Sequence, residues 1–180
     1  MQPPSKPTPS GALTPLLPTH AKSLQNFLLE FSSGTETIHG YFIEMGTPFE
    51  EIYETLNHWA KGEALPDGWV PNTTWFWQSA GVIKGVINLR HRLTPALEAF
   101  GGHIGYAVAP SHRRQGISTA MLGAVLPHCK AMGIERVLVS CDEKNIGSVR
   151  TIEANEGVLH RAEWDEAAQR TSRFYWIELA

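Results

Sequence analysis

A basic, glycine-bearing segment carries the clearest chemistry in this sequence. Arg113-Arg114-Gln115-Gly116 follows an apolar stretch that ends at Ala109, and an apolar helical pattern begins at Ile117. A strand, a glycine turn and a helix in this order place free backbone N–H groups at the positive end of a helix dipole. Such a place binds phosphate or pyrophosphate, although a plain strand-to-helix connection is the alternative. Neither a Walker loop nor a three-glycine dinucleotide fingerprint matches the segment.

Other side chains near this segment could move protons. His103 precedes Ile104-Gly105-Tyr106 on an expected strand, and an imidazole with a pKa near 6.5 suits proton abstraction at neutral pH. A structural histidine at the start of a strand is the alternative. Tyr106 offers a phenol, while His91 and Glu98, the latter in an expected loop, are weaker candidates for a base.

The remaining candidates for chemistry read as structural. Cys141 ends a strand and is interpreted as a buried core thiol rather than a nucleophile. No group of His, Cys, Asp and Glu residues has the spacing of metal ligands, so no metal is expected.

Helices must position these groups. The spacing of apolar residues and the signals for helix ends predict four helices. Thr47 is a possible N-cap for the second, with Pro48 at its first helical position and Gly62 as its stop. Asn145 is the expected N-cap of the fourth, and Pro127 is expected to kink the third. The predicted ranges are Ala21–Phe31, Phe49 or Glu50 to Lys61, Ile117–Met132, and Asn145 to about Asn155.

Apolar and β-branched runs predict seven strands, one before the first helix and six after the second. The glycine at position 85 interrupts the third strand, which indicates a bulge or a close backbone approach. The fold class is therefore α/β, or α+β, with a central strand–helix–strand–helix unit. The predicted strands are Leu13–Leu17, Thr73–Gln78, Val82–Leu93, Gly102–Ala109, Arg136–Cys141, Val158–Trp164 and Arg173–Leu179.

Length and composition limit the class of protein. The chain has 180 residues, which suits one domain at 12–180, preceded by a Pro- and Ser-rich arm at 1–11 that is expected to be disordered. A net charge of −3 argues against nucleic acid as a partner. No apolar run approaches the ~20 residues of a membrane span, and no signal peptide is recognisable. Two cysteines in apolar surroundings indicate a reducing, cytoplasmic location.

Two sequence blocks resemble the GNAT superfamily of acyltransferases. Arg113-x-x-Gly116-x-Ser118, after a strand ending Val108-Ala109-Pro110, is similar to the superfamily's Arg/Gln-x-x-Gly-x-Gly/Ala motif. Asn145-Ile146-Gly147-Ser148 opens a helix that Gly157-Val158 follows, like the second conserved block. Residues 67–71, 85–93 and 101–106 resemble a bacterial subgroup known as predicted acetyltransferases. The resemblance extends from about Leu65 to the C-terminus and, more loosely, to the helices before it.

The resemblance implies a mixed, mostly antiparallel sheet with flanking helices and a splayed parallel pair, here Gly102–Ala109 and Arg136–Cys141. It implies direct transfer of an acetyl group from acetyl-CoA to a primary amine of a small molecule or protein, in a ternary complex. His103 and Tyr106 are then the candidate catalytic residues. Asn145 would bond the pantetheine arm or simply cap its helix. The implied acetyl-CoA-binding residues are Val108, Arg113, Arg114, Gln115, Gly116, Ile117, Ser118, Thr119, Asn145 and Ser148.

One position departs from the family pattern. Many members carry a tyrosine seven residues after the asparagine of the second block, and here that residue is Ile152. The proton for the departing thiolate must then come from another group such as Tyr106, from water, or from no group at all. This departure leaves a second function open, namely a non-catalytic acyl-CoA-binding sensor or interaction module. The amine acceptor is not identified by the sequence, and a homodimer is compatible with such folds.

Overall fold

Seven strands form one sheet in the computed structural model, which describes residues 9–32, 37–166 and 169–179. The predicted N-terminal arm falls largely outside these ranges. The strands lie in the order β1-β2-β3-β4-β5-β7-β6, and every neighbouring pair is antiparallel except β4 and β5. Their bounds are β1 Ala12–Thr14, β2 Asn72–Ser79, β3 Val82–Arg90, β4 Ile104–Val108, β5 Arg136–Asp142, β6 Val158–Asp165 and β7 Arg170–Glu178.

Helices cover both faces of the sheet. α1 and α2 pack against β3 and β2, whereas α4 contacts β1, β3 and β4 and also packs on α5. Two single turns of 3-10 helix lie at Pro18–His20 and Pro110–His112. The helix bounds are α1 Ala21–Leu29, α2 Phe49–Lys61, α3 Pro95–Phe100, α4 Ile117–Ala131 and α5 Ile146–Glu153.

Strand alternation divides the apolar residues into two cores. On β3, Ile87 and Leu89 belong to the core under α4 and α5, while Val86 belongs to the core under α1 and α2. Successive side chains of a strand point to opposite faces, so a continuous apolar run on a central strand serves both cores. On β2, Trp75 and Phe76 divide in the same way.

The predicted order of strands and helices and the mixed sheet are confirmed, with differences at the ends of elements. The first helix ends at Leu29 rather than Phe31. The N-cap of α2 is Pro48 and not Thr47, because the Thr47 hydroxyl donates to the carbonyl of Glu44 (2.8 Å) in the preceding turn.

The segment expected to be a loop around Glu98 is the short helix α3. Pro95 occupies its first turn, and the Thr94 hydroxyl accepts a hydrogen bond from the N–H of Leu97 (3.3 Å). These are ordinary helix-start signals. Six residues were too short a segment for an apolar period to reveal the helix.

The strands also differ in extent from the prediction. β1 is Ala12–Thr14 rather than Leu13–Leu17, and β3 ends at Arg90 rather than Leu93. Two further differences affect the site. β7 begins at Arg170 instead of Arg173, since it pairs with β6 as far as Asp165. β4 begins at Ile104, and Gly102 before it has a φ of 67°. The close approach expected at Gly85 is confirmed, because an added Cβ would lie 2.7 Å from the sulfur of Met121.

No helix within the described ranges is long and apolar enough to cross a bilayer.

Candidate active site

The parallel strands β4 and β5 part soon after they meet. Their one parallel register pairs Ile104 with Val139, and an isolated bridge joins Gly102 to Val139 just before it. Toward Val108 and Asp142 no ladder joins the two strands, while each stays paired with its other neighbour. The sheet therefore has an opening at the carboxyl ends of β4 and β5, and this opening leaves strand backbone available to a ligand.

A cavity of about 180 Å³ occupies this opening. Tyr106 of β4 and Cys141 of β5 line its middle, and Ser148 of α5 lines one side. The other side is formed by the segment at His39 and Gly40, where a Cβ on Gly40 would overlap the carbonyl oxygen of Gly105. The cavity is thus lined both by α5 and by the segment that packs on the core under α1 and α2.

The glycine turn before α4 forms an anion-binding geometry. Arg114 and Gly116 have φ values of 64° and 80°, and the first hydrogen bond of α4 runs from the N–H of Ala120 to the carbonyl of Gly116 (3.0 Å). The N–H groups of Ile117, Ser118 and Thr119 therefore have no partner within the helix. The turn is exposed, and the nearest described atom to an added Cβ at Gly116 is Cδ of Pro9, at 3.8 Å.

Several residues predicted to bind acetyl-CoA have side chains engaged within the protein. The Arg113 Nε donates to the carbonyl of Val108 (3.1 Å), and the Ile117 side chain is buried in the core. The Ser118 hydroxyl lies 2.8 Å from the hydroxyl of Thr151, which ties α4 to α5. Ile117 and Ser118 can therefore serve a phosphate mainly through the backbone.

Asn145 fulfils the capping role that the sequence allowed. Its Oδ1 accepts a hydrogen bond from the N–H of Ser148 (3.0 Å), and both residues line the cavity. The side-chain NH₂ of Asn145 is a further donor at the same place.

Tyr106 presents a buried phenol to the cavity. Its hydroxyl lies beside the side chains of Ser148 and Thr151 but makes no hydrogen bond within the described residues. Burial raises the pKa of Tyr106 above its ordinary value, so the phenol keeps its proton at neutral pH. This group is a protonated donor whose O–H is available to a ligand.

His103 lies between the two parallel strands and away from the cavity lining. Its backbone N–H donates to the carbonyl of Leu138 (2.7 Å), and its Nδ1 accepts from the N–H of Leu138 (3.0 Å). Burial, together with the charge of Arg90, lowers the pKa of His103 to about 4. The neutral ring therefore carries its proton on Nε2 and has no free lone pair for a substrate proton. This geometry favours a structural role, and the role as general base stays a prediction.

His39 is a candidate base that the sequence did not reveal. It lines the cavity with Tyr106 and Cys141. Burial and then the charges of Arg170 and Arg90 lower its pKa below the ordinary value, so the ring is neutral at pH 7. No local pattern marks His39, because the packing of residues 38–41 on β4 and the α1–α2 core brings it to the site.

The weaker candidates for a base lie elsewhere. His91 Nε2 is 2.8 Å from the hydroxyl of Thr73, and neither His91 nor Glu98 lines the cavity. Burial raises the pKa of the Cys141 thiol to about 11, which agrees with a protonated thiol rather than a nucleophile. Within the described residues, no group of His, Cys, Asp and Glu side chains could hold a metal ion.

Ile152 is fully buried in the core under α4 and is not part of the cavity lining. Its side chain cannot supply a proton. The α5 side chains that face the Tyr106 phenol are instead those of Ser148 and Thr151.

A strand pair opened at one end, a helix N-terminus beside it and a cavity between them define an acyltransferase-like architecture. The model of the acetyltransferase (GNAT) family matches residues 39–157, and this chain belongs to that family.

Solved structures of acetyltransferases share the fold at low identity. RimL, a ribosomal L7/L12 alpha-N-protein acetyltransferase in complex with coenzyme A, is 17% identical, with 97% of each chain covered and a TM-score of 0.68. RimJ of Mycobacterium smegmatis, in complex with a CoA disulfide, is 20% identical, with 92% of this chain and 80% of the RimJ chain covered and a TM-score of 0.67. The yncA protein of Salmonella typhimurium, with acetyl-CoA, is 10% identical, with 96% of this chain and 95% of the yncA chain covered and a TM-score of 0.62. No curated protein matches the sequence significantly.

Proposed function

We propose that this protein transfers an acetyl group from acetyl-CoA to a primary amine of a small molecule or protein by direct attack in a ternary complex. The observation that carries the proposal is the cavity between the parted strands β4 and β5, which is lined by residues from both sides of the sheet. Membership of the GNAT family supports the acetyltransferase class. RimL and yncA, which share the fold, have coenzyme A or acetyl-CoA bound.

The chain's own groups are suited to hold acetyl-CoA. Backbone N–H groups at the start of α4 can bind the pyrophosphate without any side chain, and Gly116 keeps bulk away from it. Arg113, Arg114 and Gln115 add charge and donors at the same turn. The strand backbone at Tyr106 and Val108 can bond the pantetheine arm, as in strand addition. Asn145 and Ser148 complete this side of the cavity, and Ser118 and Thr119 contribute their amides.

The amine must lose a proton before or during attack on the thioester carbonyl. A lysine-like amine has a pKa near 10.4, about 3.4 units above pH 7, so it is protonated at that pH. Removing its proton at pH 7 costs roughly 4.6 kcal/mol. His39 is the base we favour, because it is neutral and lines the cavity. His103, the base predicted from the sequence, has its Nδ1 engaged by Leu138.

The departing thiolate needs a proton when the C–S bond breaks and the N–C bond forms. The Tyr106 phenol is protonated, buried and unpartnered within the described residues, so it can give this proton. Tyr106 lies on strand β4, and it would take the role of the tyrosine that many family members carry on the helix at the position of Ile152. A backbone N–H of β4 can stabilise the oxygen charge that develops on the carbonyl.

Thiol release over a panel of amines and N-terminal peptides, with acetyl-CoA as the donor, tests this function. We expect release that depends on the amine, with one class of acceptor clearly preferred. Stabilisation by acetyl-CoA without release on any acceptor would favour the non-catalytic sensor, which Ile152 leaves open. No stabilisation at saturating acetyl-CoA would contradict both functions, since a ligand of the native state must raise the melting temperature.

A further inference from the structure

One end of the cavity between β4 and β5 is cationic. Arg90, at the end of β3, and Arg170, at the start of β7, both line it. The charges of these two arginines act on His39, which lies at the same end. Arg90 and Arg170 are far apart in sequence, and only the tertiary fold brings them to one cavity.

Neither guanidinium is neutralised by a carboxylate of the described residues. Arg90 donates from one nitrogen to the carbonyls of Gly101 and Gly102 (3.2 and 2.9 Å), and it lies over the ring of Phe42 at 5.3 Å. The Nε of Arg170 is buried and has no hydrogen-bond partner within the described residues. A buried, charged donor without an acceptor is unfavourable, which indicates that a ligand supplies the acceptor.

The cavity does not contain a built-in anion that satisfies these donors. Asp142 carries the one carboxylate among its described lining residues. Its Oδ1 accepts the backbone N–H of Lys144 (2.8 Å), and Asp142 forms no ion pair with either arginine within the described chain. Ser140 and Ser172, which also line the cavity, add neutral hydroxyl groups.

We propose that Arg170 and Arg90 bind a carboxylate of the acceptor, so that the acceptor is a small molecule of the amino-acid class. This inference rests on the proposed acetyltransferase function. A guanidinium matches a carboxylate through two parallel N–H···O bonds, and such charge-assisted pairs are strong and specific. The cavity of about 180 Å³ is smaller than the ~300–1,000 Å³ of drug-sized sites, and it must also admit the thioester end of acetyl-CoA, so the acceptor has to be small. An amine with a carboxylate a few bonds away fits this size and places its nitrogen near His39.

Matched pairs of acceptors test the proposal directly. We would measure kcat/KM for common L-amino acids and for the primary amide of each, with acetyl-CoA saturating. The best free acid should exceed its amide by about 10- to 100-fold, as expected for loss of a hydrogen bond to a charged group. Arg170→Gln should bring this ratio close to one.

Arg173→Gln is the matched control. Arg173 lies on the same strand, pairs with Glu143 (3.7 Å) and does not line the cavity, so its variant should keep the wild-type ratio. A ratio near one in the wild type, or an unchanged ratio in Arg170→Gln, would overturn the proposal. Turnover confined to peptides would overturn the small-molecule class.

The outcome also separates this proposal from the proposed function. Turnover of amides as efficient as that of acids removes the carboxylate site and leaves the acetyltransferase in place. If acetyl-CoA binds and no acceptor turns over, the carboxylate site is tested by thermal stabilisation. The melting temperature is then measured with the acids and with the amides in the presence of coenzyme A. Equal stabilisation by both overturns the carboxylate site, and stabilisation by acids alone supports it. Absence of acetyl-CoA binding overturns both.

Discussion

Replacing His103 separates a structural imidazole from a catalytic one. His103→Asn removes the titrating ring but keeps a hydrogen-bond acceptor for the N–H of Leu138. The asparagine Oδ1 is bonded to Cγ, as the histidine Nδ1 is, so it lies in the same place. His103→Ala removes the acceptor as well and leaves a buried N–H unpaired, which costs about 1–3 kcal/mol. We therefore expect the alanine variant to be clearly less stable than the asparagine variant at pH 7.

The pH dependence of stability gives the magnitude. His103 is 5% exposed, and burial lowers its pKa to about 4 in the folded protein from the ordinary histidine value of 6.5. Between these values the unfolded chain binds more protons than the native one, so stability falls as the pH falls. A difference of about 2.5 units corresponds to about 3 kcal/mol, fully present above pH 6.5 and lost by about pH 4.

Urea unfolding at pH 7 and pH 4 measures this effect. We expect the wild type to lose about 3 kcal/mol more than His103→Asn between the two values. The rate of thiol release by His103→Asn should fall by much less than the ~10²–10⁴-fold that removal of a general base causes. Equal losses of stability in both proteins, together with a fall in turnover of that size, would refute the structural role and restore His103 as the base.

Further outcomes are expected from the other residues of the site. Tyr106→Phe should lower kcat by about 10²-fold or more and leave the Kd for acetyl-CoA nearly unchanged; unchanged kcat would exclude the phenol as proton donor. His39→Gln should remove the acidic limb of the pH profile of kcat/KM, which in the wild type should lie below pH 6.5; a limb that persists in the variant would exclude His39. Gly40→Ala should lower turnover, because its Cβ would overlap the Gly105 carbonyl. Gly46→Ala is its control, with a φ of 94° and open space around it; equal effects would mean that backbone strain alone is responsible.

Features with local sequence signals were predictable, and features assembled by tertiary packing were not. The turn at Gly116 needs a positive φ before a helix, and the Asn145 cap needs a short polar side chain, so both positions show in the sequence. The glycine that interrupts the apolar stretch of β3 likewise indicated a close approach, and the short distance from Gly85 to Met121 agrees with it. The parting of β4 and β5 followed from the family resemblance, and the single parallel register between them agrees with it.

His39 and Arg170 carry no such signal. His39 follows α1 in an irregular segment, and Arg170 is the first residue of β7. The environment of His103 was also hidden, because its partner Leu138 belongs to a strand 35 residues away. A burial-driven pKa depends on such partners, and the type of residue alone does not give it.

Calorimetric titration of acetyl-CoA into the wild type, Gly116→Ala and Gly116→Glu tests the central claim most directly. Both variants share the strain of a φ of 80°, so they differ mainly in size and charge. A carboxylate roughly 5 Å from a phosphate charge costs about 3 kcal/mol at an effective dielectric constant near 20, or more than ~100-fold in Kd. We expect binding by the wild type, retention in Gly116→Ala and loss in Gly116→Glu. An equal Kd for the wild type and Gly116→Glu, or no binding by the wild type, would contradict the account.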